Sequence, residues 1–531
     1  MIAKRFKGAA LVLAVALTAA GCGGAAQASA SDEIVYAIDS ATLGFDPNVT
    51  PAAQDARVMR QIYDGLVSKA DDGTIVASLA EKWQVSDDGT TYTFTLRQGV
   101  TYHDGTDFNA EAVCFNFDRI KNPKTGSRYA ISLIGPYKSC AAPDPHTAII
   151  TMSQPYAPFL SVLTSPFLGL VSPTAVTTLG AETFNLKPVG TGPFKLTSYV
   201  PMGSIVLERN DDYNWAPRSA KHDGPAHLKK ITFQIMPDPT VRLGSLRTGR
   251  IQALGNVPET EAERTKGDKS LQFFAQPQSG SPHQLYFNQQ RVFADEKLRQ
   301  AFVHSVNVET IVKALYFGVY QQASGNLSTT TPGHDPSLKD LYTYDPEKAK
   351  QLLDEAGWVP GPDGVRVKDG KRLTITYAEQ TPNREKRQDI AQFVKSYATQ
   401  VGFEVNIVLE QVAGLTARSQ SGDYDIYGLS LVNVDPNVVH SVLGSPFQPA
   451  PKKNGFNFAH VTKYDDVLLK AQAEQDETTR IQMYKDVQKQ LAADAVSLPT
   501  YVPTYTMAIR GIDGLRFDGE GYPVFYDVKP I

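Results

Sequence analysis

The sequence predicts a mixed α/β protein built around more than one hydrophobic core. A chain of 531 residues is longer than one core normally serves, so we expect two or three lobes. Apolar and polar residues alternate from Tyr92 to Leu96, which is the pattern of a half-buried strand. A helical pattern over residues 385–401 stops at Gly402 and is followed by an alternating strand over residues 403–409. This helix–strand unit indicates an α/β lobe.

Composition and charge narrow the class of protein. Hydrophobic residues make up 42% of the chain and charged residues 20%, which are ordinary values for a globular protein. The net charge of −4 comes without a cluster of basic residues. We therefore expect no nucleic acid partner, since such a partner requires a basic face.

The N-terminus has the pattern of an export signal. Three basic residues precede a short apolar stretch that cannot comfortably span a bilayer. The stretch ends in a sequence that resembles a bacterial lipobox, although Ala19 stands where that pattern prefers leucine. We expect residues 1–21 to be a signal peptide, Cys22 to be lipidated and residues 22–31 to be a flexible tether. A plain secretory signal cut near residues 28–30 is the alternative.

Clear start and stop signals mark elements along the chain. A turn at His103-Asp104-Gly105 precedes Asn109, which is predicted to cap a helix. Asp295 is predicted to cap a second helix. Asp345 caps a third, with Pro346 in the first helical position, where its missing N–H costs nothing. The strand-rich segment after residue 500 is expected to return to the first lobe.

Six motifs, taken in order, resemble the family 5 extracellular solute-binding proteins, the peptide and nickel receptors of ABC importers. They spread over nearly the whole mature chain, and the ordered set is much more specific than any single motif. The motifs are residues 79–119, GTGPF at 190–194, LYFN at 285–288, DEKLRQA at 295–301, YDPEKAKQLLDEAGW at 344–358 and GDYD at 422–425.

This resemblance implies a two-lobe fold of the periplasmic-binding-protein type (type II, large cluster), with mixed sheets and helices packed on them. It also implies an extra subdomain inserted in the first lobe. The expected boundaries are residues 32–66, 188–275 and 503–531 for lobe I, 67–187 for the inserted subdomain and 276–502 for lobe II.

Two cysteines remain once Cys22 is assigned to lipid. An exported chain enters an oxidising compartment, so we expect Cys114 and Cys140 to form a disulfide. Two separate buried thiols are the alternative.

Motifs for catalysis or metal binding are not found in the sequence. There is no Gly-x-Ser-x-Gly elbow and no His-Glu-x-x-His, and the acidic neighbours Asp87-Asp88 and Asp211-Asp212 read as turn residues. The nine histidines are scattered, and the pair His222 and His227 has a poor spacing for a metal on a helix. We expect no enzyme activity, no cofactor and no metal site.

Ligand recognition is expected between the lobes. In the resembled family, backbone groups hold peptides, and an acid of the second lobe often holds the ligand's ammonium group. Val432 stands where that acid is common, so Asn433 or Asp435 is a substitute, although a turn role explains Asp435 equally well. Arg384 and Arg387 are candidates for clamping a ligand carboxylate, with a solvated helix end as the alternative.

The complete set of candidate contacts combines these residues with backbone positions that the resemblance indicates. The set is Thr42, Leu43, Gly44, Gly280, Ser281, Arg384, Arg387, Leu431, Val432, Asn433 and Asp435. Tyr501, Tyr505 and Trp215 are aromatic candidates for the cleft wall, for which we favour core packing.

The sequence thus predicts an exported monomer that delivers a short peptide to ABC permease subunits. It is expected to be anchored by lipid to the outer face of the cytoplasmic membrane, or periplasmic. A nickel chelate, an opine or an oligosaccharide is an alternative cargo. The alternative of another class is a secreted two-lobe hydrolase, and a sensor that signals without transport is a third.

Overall fold

The structure is a computed structural model that describes residues 31–531. The predicted signal peptide, Cys22 and all but one residue of the predicted tether therefore lie outside the described residues. The strands, in chain order, are β1 (Glu33–Ile38), β2 (Val67–Lys69), β3 (Ile75–Ala77), β4 (Ala80–Val85), β5 (Thr91–Leu96), β6 (Tyr137–Asp144), β7 (Thr147–Met152), β8 (Phe194–Val200), β9 (Ser204–Arg209), β10 (Lys230–Ile235), β11 (Ala253–Gly255), β12 (Gln272–Pro277), β13 (Gly280–Phe287), β14 (Val359–Pro360), β15 (Arg366–Lys368), β16 (Lys371–Arg372), β17 (Thr374–Gln380), β18 (Glu404–Glu410), β19 (Ile426–Val432), β20 (Ser497–Tyr501), β21 (Thr504–Ile509), β22 (Ile512–Asp513), β23 (Arg516–Phe517), β24 (Pro523–Val524) and β25 (Lys529–Pro530).

The helices connect and cover these strands. In chain order they are α1 (Ala53–Ile62), α2 (Ala110–Lys121), α3 (Ala130–Leu133), α4 (Phe159–Val162), α5 (Pro173–Leu179), α6 (Ala181–Phe184), α7 (Pro239–Arg247), α8 (Ala262–Gly267), α9 (Glu296–Ser305), α10 (Val308–Tyr316), α11 (Pro346–Glu355), α12 (Arg387–Thr399), α13 (Val412–Ser421), α14 (Val438–Leu443), α15 (Asp465–Ala473) and α16 (Glu477–Ala493).

Two separate sheets organise the molecule. The first has seven strands in the order β12-β21-β11-β1-β10-β9-β8, and the part built on it is called lobe I. The second has five strands in the order β18-β17-β19-β13-β20, and the part built on it is called lobe II. Both sheets mix parallel and antiparallel pairs, since β1 runs parallel to β10 and β11, and β17 runs parallel to β18 and β19. The mixed α/β class is confirmed.

A third, antiparallel sheet of order β4-β5-β7-β6 forms a subdomain with α2. The disulfide between Cys114 on α2 and Cys140 on β6 is present, with the two Cα atoms 5.1 Å apart. It joins the helix to the edge strand of this subdomain, as the sequence predicts. On the loop-entropy estimate such a bond contributes about 3 kcal/mol to stability.

The chain crosses between the lobes twice, at adjacent places. It leaves β12 of lobe I for β13 of lobe II through Gln278, and it returns from β20 to β21 through Pro503. The two crossings touch each other, because the backbone N–H of Gln278 donates to the carbonyl oxygen of Pro503 at 2.8 Å. Two short connections that lie side by side and run in opposite directions form a hinge, since few backbone dihedrals must change for the lobes to rotate.

The predicted helix caps are confirmed, and one helix start differs. The side chains of Asn109, Asp295 and Asp345 each accept a hydrogen bond from a backbone N–H in the first turn of their helix. The helix predicted from residue 385 begins at Arg387 instead, because Glu385 and Lys386 adopt positive φ angles of 51° and 55°. That conformation is incompatible with a right-handed helix. The Glu385 side chain accepts a hydrogen bond from the hydroxyl of Tyr501 on β20.

Within residues 31–531, no helix combines the length and the apolar character that a bilayer crossing requires.

Candidate functional site: the cleft between the lobes

A cleft of about 700 Å³ lies between the two lobes beside the crossing segments. This volume is in the range of sites for small organic ligands. Both lobes and both crossings contribute to the walls, which include Asp39, Arg57, Arg242, Asn256 and Glu259 from lobe I, Gln278, Pro503 and Thr504 from the crossings, and Tyr320, Gln380, Arg384 and Glu385 from lobe II.

The lobe I wall presents an arginine held flat against an aromatic ring. Arg57 of α1 places its guanidinium carbon 3.8 Å from the ring centroid of Tyr505, which is a cation–π geometry. The Tyr505 ring is fixed in turn by a hydrogen bond between its hydroxyl and that of Tyr36. Gly255 leaves room for this arrangement, because a Cβ at that position would lie 2.0 Å from the Tyr505 hydroxyl oxygen.

The two arginines of the lobe I wall differ in how their nitrogens are used. Arg242 donates to the backbone oxygens of Met236 and Pro237 at 2.6 and 2.8 Å, and to that of Asn256 at 3.3 Å. The Arg57 guanidinium forms no hydrogen bond or ion pair within residues 31–531, and its Nε is buried. Arg57 is therefore available to a ligand, whereas Arg242 holds the backbone of the wall together.

The lobe II wall is organised by the carboxylate of Glu385. This carboxylate accepts from Arg387 at 2.8 Å, from Arg384 at 3.1 Å and from the hydroxyl of Tyr501 at 2.7 Å. Burial raises the pKa of Glu385, but the positive charges of Arg384 and Arg387 outweigh it and hold the pKa below its usual value. Arg387 also donates to the Ser430 hydroxyl at 2.8 Å, so its donors are largely occupied within lobe II.

Three direct contacts cross the interface between the lobes. The hydroxyl of Tyr129 donates to the backbone oxygen of Val432. Lys386 of lobe II pairs with Glu259 of lobe I at 3.3 Å. The backbone N–H of Ala157 donates to the backbone oxygen of Gln472 at 3.0 Å.

The predicted contacts after β1 have different environments. Thr42 is buried and its hydroxyl has no partner within residues 31–531. Leu43 is 68% exposed, and its backbone N–H donates to Asp55 at 2.9 Å. Gly44 lies against Asn185, whose side chain would be 2.1 Å from a Cβ at that position.

The structure brings two other predicted segments together. Gly280 pairs with Val432, and Ser281 with Leu431, where β13 and β19 run antiparallel. Gly280 has a φ of +113°, and a Cβ there would lie 2.2 Å from the backbone oxygen of Leu431, so only glycine fits. Val432 is the acceptor of the Tyr129 hydroxyl, which places this strand end at the lobe interface.

Asn433 and Asp435 form a local network next to this strand end. The Asn433 side chain accepts from the backbone N–H of Asp435 at 2.9 Å, and Asp435 accepts from that of Asn437 at 2.9 Å. The buried Asp435 carboxylate also pairs with Arg480 of α16 at 3.0 Å. Asp435 thus has the turn role that the sequence offered as an alternative, together with an ion pair inside lobe II.

Among the predicted contact residues, Arg384 lines the cleft of about 700 Å³. Tyr505 lines it too, whereas Tyr501 and Trp215 do not. Tyr501 lies behind the wall, in contact with Glu385 and Tyr320. Sequence reasoning missed Arg57, because a single arginine on an amphipathic helix has no local signal that separates it from a surface residue. The ring of Tyr505 that orients it comes from a distant part of the chain.

Metal-ligating side chains do not gather in the part of the chain that is described, since no group of three or more His, Cys, Asp or Glu side chains could hold an ion. His222 and His227 stack on each other with ring centroids 4.1 Å apart, and His222 is bonded to Asp527 at 3.0 Å.

The sequence of this chain matches a known protein family and several characterised proteins. Residues 74–454 match the family described as bacterial extracellular solute-binding proteins, family 5 middle. The chain is 30% identical over 486 residues to the dipeptide-binding protein of Escherichia coli, covering 86% of each chain. It is 29% identical over 489 residues to the glutathione-binding protein GsiB of Shigella flexneri, covering 90% of each.

Solved structures give the same picture of the fold. DppA of Helicobacter pylori in complex with the peptide STSA matches with a TM-score of 0.78 and 25% identity, over 94% of this chain and 98% of that chain. NikA of Brucella suis in complex with Fe(III)-EDTA matches with a TM-score of 0.80 and 24% identity, over 94% of this chain and 100% of that chain. The two-lobe fold predicted from the motifs is confirmed.

Proposed function

The chain belongs to the bacterial extracellular solute-binding proteins of family 5, and on that premise we propose that it captures a peptide-like solute between its lobes and delivers it to an ABC permease. The observation that carries this proposal is the cleft of about 700 Å³ at the double crossing, with walls from both lobes. A site of this form suits reversible capture, because opening the hinge admits the solute and closing it removes the solute from water.

Binding energy drives the closure in this mechanism. A solute in the cleft contacts Arg57 and Asn256 on one side and Gln380 and Arg384 on the other, so it binds the closed state more tightly than the open one. The closed state then presents both lobes to the permease in one fixed arrangement. Tyr129–Val432 and Lys386–Glu259 are the contacts that this closed state adds. The solute is released unaltered.

A short peptide is the proposed cargo. The names of the E. coli and Shigella relatives, which bind a dipeptide and glutathione, support this choice, as does the peptide held by the H. pylori protein. A nickel chelate, an opine and an oligosaccharide are the alternatives within the family, and a solved relative from Campylobacter jejuni holds Ni(L-His).

The cellular setting completes the proposal. The protein acts as a monomer at the outer face of the cytoplasmic membrane or in the periplasm, with Cys22 as the lipid-bearing residue. Its extracytoplasmic placement agrees with a family of extracellular proteins. Lipidation of Cys22 is tested by metabolic labelling with a fatty acid. The wild-type protein should incorporate the label, and a Cys22→Ala variant should not.

The experiment that tests the function is thermal unfolding of residues 31–531 with separate pools of di- and tripeptides, Ni(L-His), opines and oligosaccharides. We expect the peptide pools to raise the melting temperature, because a ligand that binds only the folded state stabilises it. Mass spectrometry of the pools afterwards should find the same molecules. If another pool stabilises the protein instead, the cargo belongs to the class of solute in that pool. Chemical conversion of a bound solute would favour the alternative of a secreted two-lobe hydrolase.

A further inference from the structure

We propose that the cleft takes a negatively charged group of its solute, and that Arg57 is the residue that binds this group. The inference rests on the proposed function, since it names the chemistry of the solute that the same cleft receives. It assigns the anion contact to α1 of lobe I rather than to Arg384 and Arg387 of lobe II.

The charges of the cleft walls do not balance. Glu259 is paired with Lys386 at 3.3 Å, and Glu385 is bonded to both Arg384 and Arg387. The remaining acid that lines the cleft is Asp39, which accepts from Asn256 at 2.7 Å and forms no ion pair within residues 31–531. On the lobe I side, Asp39 is therefore the one acid beside two arginines, Arg57 and Arg242. Glu385 is likewise the one acid for Arg384 and Arg387 on the lobe II side, so both walls have an excess of one positive charge.

The guanidinium groups of the walls differ in how far their donors are already used. Arg387 is occupied by Glu385, Tyr501 and Ser430, and Arg242 is occupied by backbone oxygens. Arg384, which also lines the cleft, already has an acid partner, because its Nε donates to Glu385 at 3.1 Å. Arg57 lines the cleft with no hydrogen-bond partner in the part of the chain that is described. A cation enclosed between two lobes without a partner is unfavourable. An anion on the solute removes that penalty, so it favours closure.

The Arg57 side chain is pre-organised for an anion. The guanidinium lies 3.8 Å above the Tyr505 ring, whose hydroxyl is bonded to Tyr36. A planar guanidinium held in this way presents its donors in a fixed direction, and it binds a carboxylate or a phosphate by two parallel hydrogen bonds. On a peptide, the group that fits is the C-terminal carboxylate.

Three pools of probes test the inference by isothermal titration calorimetry on residues 31–531. One contains di- and tripeptides with free carboxylates, the second contains the same peptides as C-terminal amides, and the third contains non-peptide organic anions such as opines and sugar phosphates. We expect the free acids to bind and the amides to bind at least about tenfold more weakly, since a charge-assisted hydrogen bond is worth one to two powers of ten.

Matched variants connect the effect to Arg57. Arg57→Gln should weaken the binding of the acids by about 10- to 100-fold and leave the weak binding of the amides unchanged. Arg57→Lys keeps the charge but loses the two-point geometry, and it should recover only part of the affinity. Arg264→Gln is the control for net charge, since Arg264 lies on α8 with 73% of its side chain exposed. The melting temperature of each variant without solute reports whether it has folded.

The outcomes separate this inference from the proposed function. Non-peptide anions that bind through Arg57, in place of peptides, would support the inference and reject the peptide cargo. Equal binding of acids and amides, or wild-type affinity in Arg57→Gln, would overturn the inference while peptide capture stands. A protein that binds no anionic member of any pool would also overturn it.

Discussion

The hydroxyl of Tyr129, at the start of α3, donates a hydrogen bond to the backbone oxygen of Val432 at the end of β19. These two residues belong to different lobes and are far apart in the sequence. The bond exists only when the lobes are closed, because it spans the interface. A substitution that removes the Tyr129 hydroxyl therefore tests how much this bond contributes to closure of the hinge.

Tyr129→Phe should shift the protein toward the open state. The loss of one hydrogen bond from the closed state is worth about 1 kcal/mol, which corresponds to roughly fivefold weaker solute binding. Small-angle X-ray scattering should show a larger radius of gyration without solute, and calorimetry should show the weaker binding.

Tyr92→Phe is the matched control for this variant. The Tyr92 hydroxyl donates to the backbone oxygen of Tyr156 at 2.7 Å within the inserted subdomain, so its loss should lower stability without changing the scattering. The same radius of gyration for Tyr129→Phe and the wild type would reject a role in closure.

Glu385→Gln should destabilise lobe II. The change leaves the buried guanidinium of Arg387 without its carboxylate, and breaking a buried pair by removal of one partner costs about 3 kcal/mol. Urea unfolding followed by tryptophan fluorescence measures the loss. Glu309→Gln should leave stability unchanged, because the Glu309–Lys313 pair is exposed. A loss for Glu385→Gln no larger than that of this control would contradict the prediction.

Glu520 should make the stability of lobe I depend on pH. Burial, with a smaller contribution from the charge of Asp518, raises the pKa of its carboxyl from 4.5 to about 8. Arg60 and Lys69 oppose this shift. Both carboxyl oxygens are buried, and neither has a hydrogen-bond partner within residues 31–531.

Proton linkage fixes the direction in which the free energy of unfolding changes with pH. Between pH 4.5 and about 8 the folded state holds a proton that the unfolded state has lost. The contribution of Glu520 to the free energy of unfolding is therefore full below this window and falls as the pH rises through it, by about 1.4 kcal/mol for each unit. Glu520→Gln should remove this slope. Urea unfolding of both proteins at pH 5, 6.5 and 8 compares them, and parallel curves would reject the assignment.

Removal of the disulfide should weaken the inserted subdomain. A Cys114→Ala, Cys140→Ala double variant should lose about 3 kcal/mol of unfolding free energy, because the unfolded chain regains the freedom of the closed loop. Solute affinity should stay at the wild-type value, since the bond joins α2 to β6 outside the cleft. Addition of dithiothreitol to the unfolding wild-type protein should reproduce the loss, and an unchanged midpoint would contradict it.

Much of the fold was predictable because its signals are local. Asn109, Asp295 and Asp345 cap helices through a side chain and a backbone N–H two or three residues away, so the sequence nearby contains both partners. The start of α12 was placed two residues early, because the positive φ angles of Glu385 and Lys386 come with no glycine to signal them. These angles turn Glu385 toward Tyr501, which lies more than a hundred residues further along the chain.

By itself, the sequence determined the family and the mixed α/β class, since ordered motifs and periodicity require no knowledge of distant contacts. It also favoured the pairing of Cys114 with Cys140 over two separate thiols, and the structure decided for the pair. Only the tertiary structure decided which arginines have acid partners. Arg384 and Arg387 look like ligand clamps in the sequence, yet Glu385 pairs with both, while the inconspicuous Arg57 faces the cleft over Tyr505. The physical reason is that a charge is free or paired according to its neighbours in space, and folding brings those neighbours from distant segments.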